Sequence, residues 1–187
     1  MKAIVLKSYG GVDQFATVEV STPRPAAGQV LIRIEASAVN PFDLLLRQGF
    51  MAKFIPLPLP AVLGGDAAGT VVELGAGVTG LTVGERVVAD FPANGHGAHA
   101  EYGVVAADSV ARLPANLSFE QGAALVKAGL TGRQTVAALG VQAGDRVLVS
   151  GGLGAVGRGL QNELGGYKTN PRYQRPVIPE DENISRR

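Results

Sequence analysis

Short apolar runs of alternating or β-branched character recur through the first hundred residues, at Ala3–Leu6, Gln29–Ala38, Gly69–Glu73, Arg86–Ala89 and Ala100–Ala106, each bounded by Gly, Pro or Asp. A period of two puts successive side chains on opposite faces, so these runs predict half-buried strands joined by tight turns. The 26 glycines and 11 prolines are interspersed with the apolar runs and form no tracts, which fits a mainly β, barrel-like body. The pattern changes near residue 120. Ser118-Phe-Glu-Gln121 has the spacing of a capping box before the segment GAALVKAG, and Thr131–Leu139 reads as a second short helix ended by Gly140. A turn follows, then an apolar strand predicted over Val147–Val149, then a glycine loop from Gly151 to Gly157.

Charge changes the picture little. Seventeen Lys+Arg stand against 16 Asp+Glu, a formal charge of +1, so no global field recruits nucleic acid or an anionic membrane. A hydrophobic share of 46% is enough for a real core and excludes full disorder. With no cysteine the chain has no disulfide, no thiolate nucleophile and no Cys-based zinc or iron–sulfur site. The start, MKAIVLKSYGG, lacks the apolar stretch and small-residue cleavage site of a signal peptide, and no apolar run reaches the roughly 18 residues of a membrane span, so the expected location is cytoplasmic.

Gly152-Leu-Gly154-Ala155-Val156-Gly157 fits G-x-G-x-x-G directly after a predicted strand. In that pattern the first glycine permits a tight turn, the second lets the backbone approach a pyrophosphate and the third allows close helix packing, while the helix N–H groups face the anion. The competing reading is a glycine turn between strand and helix. A dinucleotide unit also needs a long helix, a second apolar strand and an acidic residue about 20 residues on for the ribose. Twenty residues past Gly157 stands Val177; Glu180 and Asp181 are near it, but only Val177-Ile178 lies between prolines as a candidate strand. Gly165-Gly166 stops the helix after about two turns. The composition of 165–187, with five Lys/Arg, three Asp/Glu and few apolar residues, predicts a disordered tail.

Several segments together carry a family resemblance over nearly all of residues 1–158. In order they are Ala38-Val-Asn-Pro-Phe-Asp43 followed by Arg47-Gln-Gly49, then Leu63-Gly-Gly-Asp-Ala-Ala-Gly69, Val83-Gly-Glu-Arg-Val87, Ala98-His-Ala-Glu-Tyr102 and Leu113-Pro-Ala-Asn-Leu-Ser118. Gly129-Leu-Thr-Gly132 and Ala143-Gly-Asp-Arg-Val-Leu-Val149 complete the series. The chain resembles the zinc-independent quinone oxidoreductase branch of the medium-chain dehydrogenase/reductase superfamily. The resemblance implies an α+β fold, mainly β with short helices: a GroES-like, partly open β-barrel over 1–120, then connecting helices and an incomplete Rossmann strand and glycine loop over 121–164. It implies NADPH as cofactor and a small-molecule quinone or enone as substrate, with no nucleic-acid or membrane partner.

The same resemblance places Asn40 near the nicotinamide and substrate and turns Thr131 toward the nicotinamide. Asn40 and Asp43 are therefore the candidate catalytic residues, and Asn40, Thr131, Gly152, Gly154, Ala155, Val156 and Gly157 the candidate cofactor contacts. Each has a plainer alternative. Asn40-Pro41 can simply set a turn, and Asp43 can cap a helix in which Arg47 stands four residues on. No metal site is expected. Asp66, between glycine and alanine, reads as a structural acceptor, and His96 and His99 as part of a surface loop. Lys127 and Arg133 depart from the family pattern at the site mouth. Two readings stay open: a truncated NADPH-dependent oxidoreductase, weakly active or inactive alone, and a non-catalytic GroES-like module or interaction subunit. The apolar edge predicted at Val147–Val149 suits a homo-oligomer contact in the second.

Overall fold

The computed structural model describes residues 1–142 and 145–165. Among the described residues eight strands form two antiparallel sheets. The smaller has the order β2-β1-β4, from β1 (Lys2–Leu6), β2 (Phe15–Glu19) and β4 (Ala61–Val62). The larger has the order β7-β3-β5-β6-β8, from β3 (Gln29–Ala38), β5 (Asp66–Leu74), β6 (Arg86–Asp90), β7 (Tyr102–Ala106) and β8 (Val110–Arg112). The sheets meet where β1 lies along the segment entering β7: Ile4 N donates to His99 O at 2.8 Å, and Glu101 N to Lys2 O at 3.0 Å. This is a two-sheet, partly open arrangement rather than a closed barrel.

The alternation in the sequence translates into burial. On β3, Val30 and Ile32 point into the core while Arg33 and Glu35 pair outside. Val71, Val87, Phe91 and Val105 complete that core from the neighbouring strands. Alternation fails at the start of β3, where Leu31 is buried between Val30 and Ile32, and in β5, where Asp66 through Gly69 are all buried. A helix covers the outer face of β5, so both sides of this strand are hidden. Gly69 is required there by space, because a Cβ would stand 2.0 Å from the Arg33 carbonyl oxygen, at the irregular β3–β5 register.

That helix is α2 (Phe119–Leu139), and it is one continuous helix where two short ones were expected. Its start is as predicted: Ser118 Oγ accepts from Gln121 N, Gln121 Oε1 accepts from Ser118 N, and Gly140 closes the far end at φ 62°. Gly129 and Gly132 suggested a break. In the fold they are tolerated because the helix packs along its length, and the intrinsic cost of glycine, about 1 kcal/mol, is small beside such packing. Gly122 sits against Leu113, Val88 and Ala68 of the sheet, while Gly132 abuts Gly159 and Leu160 of α3 (Ala155–Glu163). The strand predicted at Val147–Val149 does not form. Among the described residues no neighbouring strand is available to satisfy its N–H and C=O groups, and Val147 and Leu148 remain exposed. The tail beyond Gly165, with Val177, Glu180 and Asp181, lies outside the described residues.

Candidate functional site

One end of the larger sheet brings the polar chemistry together. Ala38 of β3, Asp66 of β5 and Asp90 of β6 are cross-strand partners in register. Two residues past Ala38 the chain leaves the sheet at Asn40 and starts helix α1 (Pro41–Gln48). Pro41 supplies a fixed φ at the first helical position, and Asp43 Oδ2 accepts the Asn40 backbone N–H at 2.7 Å. Gly49, at φ 81°, ends the helix with its N–H returned to the Leu45 and Leu46 carbonyls. With its backbone held in this way, the Asn40 amide is free for tertiary contact, and Nδ2 donates to Asp66 Oδ2 at 2.8 Å.

Asp66 is 1% exposed. Burial pushes its carboxyl above the ordinary carboxylate range; the Asn40 hydrogen bond and the positive charge of Lys127 work against that rise, and Asp90 adds to it. Oδ2 is satisfied by Asn40, whereas Oδ1 has no hydrogen-bond partner. Lys127, on α2, pairs with Asp90 Oδ1 and reaches the Phe91 carbonyl at 3.5 Å. Asp90, Phe91 and Lys127, but not Asp66, border a cavity of about 220 Å³. Phe42, Leu46, Ile55, Leu57 and Leu63 give it apolar walls, and Asn40, Asp43, Asp90 and Lys127 its polar edge. A concave apolar cavity with a few convergent polar groups is the usual form of a small-molecule site.

The two histidines part company. His96 is exposed, whereas His99 is half-buried with Nδ1 3.2 Å from Ser37 Oγ. Burial lowers the His99 pKa, and the charge of Asp43 opposes that shift. His99 lines a second, open groove together with Lys2, Ser37 and Glu101.

The other predicted residues sit on α2 and α3. Thr131 lies one turn beyond Lys127 on α2, where residues four apart share a face, and it is exposed. The glycine loop turns at Gly151, φ 71°, and Gly154 N donates to Gly151 O at 2.9 Å. Ala155, Val156 and Gly157 form the first turn of α3. A Cβ on Gly157 would meet Gly151 O at 2.4 Å, so the third glycine lets the helix start fold tightly over the loop. A Cβ on Gly159 would meet the Ala128 carbonyl at 2.9 Å, which brings α3 backbone to backbone with α2. The helix that follows the loop is thus docked against the helix that carries Lys127 and Thr131. The structure joins Asn40 and Asp43 in one cavity and places Thr131 and the glycine loop outside its lining. Sequence reasoning did not assign the Asn40–Asp66 hydrogen bond or the Lys127–Asp90 pair. The only available signal for the first was an acidic residue among buried small residues at the head of an apolar strand.

Residues 26–115 match the alcohol dehydrogenase GroES-like domain family. A chloroplastic quinone-oxidoreductase homolog from Spinacia oleracea is 36% identical over 137 residues, covering 73% of this chain and 42% of the relative. The 2-methylene-furan-3-one reductase of Solanum lycopersicum is 40% identical over 164 residues, covering 84% of this chain and 42% of its own length. A mycobacterial protein whose structure is complexed with NADPH superposes with a TM-score of 0.75 at 36% identity, covering 86% of this chain and 48% of that one. The chain spans about half the length of the curated relatives it matches. Its sheet order, the matched domain and these likenesses together make the chain a member of the zinc-independent quinone-oxidoreductase-like branch of the medium-chain dehydrogenase/reductase superfamily.

Proposed function

We propose that the chain carries the substrate side and the pyrophosphate loop of an NADPH-dependent oxidoreductase that reduces quinones or enones. The observation that supports this best is the docking of α3, the helix that the glycine loop opens, through Gly159 onto Gly132 and Ala128 of the helix whose Lys127 borders the cavity. In this reading Asn40 and the apolar wall orient the substrate, while Asp43 is a positioning residue that holds Asn40 at the head of α1. In the same reading Gly152, Gly154, Ala155, Val156 and Gly157 receive the pyrophosphate, and Thr131, exposed one turn beyond Lys127, faces the nicotinamide. The residues present fit the phosphates. Gly154 leaves room for close backbone approach, and the open first turn of α3 offers N–H donors to an anion. When bound, NADPH supplies the hydride; the protein supplies orientation and exclusion of water.

Organisation and setting belong to the same proposal: a GroES-like unit over 1–120, a connecting and cofactor-loop segment over 121–164, and a tail from 165. A cytoplasmic location is also proposed, although the spinach relative is chloroplastic; no helix among the described residues is long and apolar enough to cross a membrane. A homo-oligomer contact is placed at 147–149, where Leu148 is 90% exposed.

NADPH titration, followed by protein-observed NMR and thermal shift, tests this reading. With a phosphate site as the main contact, affinity is expected near 1 mM, about −4 kcal/mol. A Cβ at Gly154 would meet only Gly151 O at 3.3 Å, so Gly154→Ala should fold but weaken binding by crowding the phosphates, and Gly154→Asp, which also sets a carboxylate against them, abolishes binding. Absence of saturable binding, or equal binding by Gly154→Asp, rejects the proposal.

A further inference from the structure

Lys127 is the one cationic residue among the described lining residues of the cavity. Its path is built into the fold. A Cβ on Gly65 would stand 2.0 Å from Lys127 Cε and 2.8 Å from Nζ, so only a glycine at the head of β5 lets the lysine stem cross the backbone and bring its ammonium to the cavity. The ammonium carries three N–H donors. Its contacts with Asp90 Oδ1 and the Phe91 carbonyl account for two of them. The acidic groups that surround it or share the cavity are Asp90, its ion-pair partner, Asp66, whose carboxyl feels its charge, and Asp43, whose Oδ2 is taken by the Asn40 N–H. A tethered cation at the polar end of an apolar cavity is suited to one ligand feature: an oxygen that gains negative charge.

We propose that Lys127 is the oxygen-binding catalytic residue of this cavity: its ammonium donates a hydrogen bond to the substrate carbonyl and holds the oxyanion which that oxygen becomes on reduction. The inference rests on the quinone or enone reading above. In the reduction of an enone by a reduced nicotinamide dinucleotide, the C4–H bond of the dihydropyridine ring breaks, the ring is oxidised to the pyridinium, and the hydride forms a C–H bond at the β-carbon. The C=C pair moves between the α-carbon and the carbonyl carbon, and the C=O π pair moves onto oxygen as an enolate. A solvent proton then adds to the α-carbon and the carbonyl reforms. With a quinone the oxyanion is the hydroquinone monoanion, which takes its proton from water. In both cases Lys127 faces a full negative charge on oxygen that the starting carbonyl lacks, and that difference is what favours the transition state over the bound substrate.

The test needs no dinucleotide and no turnover. 4-Nitrophenol is titrated into the purified chain, and the visible absorbance of its phenolate is read against pH. A cation beside the bound oxygen favours the charged form, so the bound probe should ionise with a proton affinity lowered about tenfold or more relative to free probe. Lys127→Arg should retain most of that effect, and Lys127→Met, which keeps the stem across Gly65, should lose it while still binding the neutral phenol. Identical ionisation in wild type and Lys127→Met, binding of the neutral form alone by wild type, or no binding at millimolar probe each overturns the proposal. Should Lys127→Met not fold, the NMR signal of the Lys127 ammonium in the wild-type chain must move on adding 4-nitrophenolate, and an unmoved signal is equally fatal. The NADPH titration is independent of this probe, so loss of the Lys127 role and loss of the oxidoreductase reading can be told apart.

Discussion

The contact between Asn40 and Asp66 joins the start of α1 to the most buried polar group in the described core, and its strength can be worked from the structure. The donor–acceptor distance is 2.8 Å, and the accepting carboxylate is 1% exposed, so water cannot replace a lost partner. Hydrogen bonds to charged groups contribute about 1.5–3 kcal/mol and neutral pairs about 0.5–1.5 kcal/mol. A double-mutant cycle of Asn40→Ala, Asp66→Ala and the double variant, read by urea unfolding, should therefore give a coupling near 2 kcal/mol at a pH where Asp66 is ionised, falling to about 1 kcal/mol at a pH where it is protonated. The sign of the pH effect follows from burial. Because the folded-state pKa of Asp66 is raised, there is a window above the ordinary carboxylate value in which the folded chain keeps a proton that the unfolded chain has lost. Wild-type stability falls as pH rises through that window, and Asp66→Ala removes the slope. Asn40→Ala takes away a contact that holds the pKa down, so it should steepen the slope and carry it to higher pH. Single effects that add within about 0.5 kcal/mol at both pH values would refute this account of the pair.

Two further perturbations probe the frame that holds the site. Gly69→Ala drives a Cβ against the Arg33 carbonyl and should cost more than about 2 kcal/mol in urea unfolding, whereas Gly77→Ala, at φ 79° with open space around it, should cost only the backbone strain of about 1–2 kcal/mol; equal losses would count against the close approach of β3 and β5. Gly132→Val forces α2 away from Leu160 of α3, where even a Cβ would come within 2.5 Å of backbone nitrogen. Hydrogen exchange should then quicken across Ala155–Glu163 while protection of β3 and β5 is unchanged, and unaltered exchange in α3 would show that the two helices do not depend on this contact.

What the sequence determined by itself is what acts over a few residues. The alternation of Gln29–Ala38 specified β3 to the residue, and Ser118 with Gln121 announced the start of α2, because side-chain period and capping are local properties. The ordered series of segments from Ala38 to Val149 was enough to identify the family. Tertiary structure decided the rest. Whether residues 119–139 form one helix or two depended on packing against the sheet and α3, which outweighs the weak preference of glycine against helix. Whether Val147–Val149 forms a strand depended on partners for its backbone, and apolar content cannot supply hydrogen bonds. The site shows the same division. Asn40, Asp43 and the glycine loop were legible as motifs, but Asp66, Asp90 and Lys127 became a constellation only when three strands in register and a covering helix brought positions 26, 50 and 87 residues beyond Asn40 to one end of the sheet. Charges so far apart in sequence leave no periodic trace; their meeting follows from strand pairing, which is set by the burial of the whole sheet.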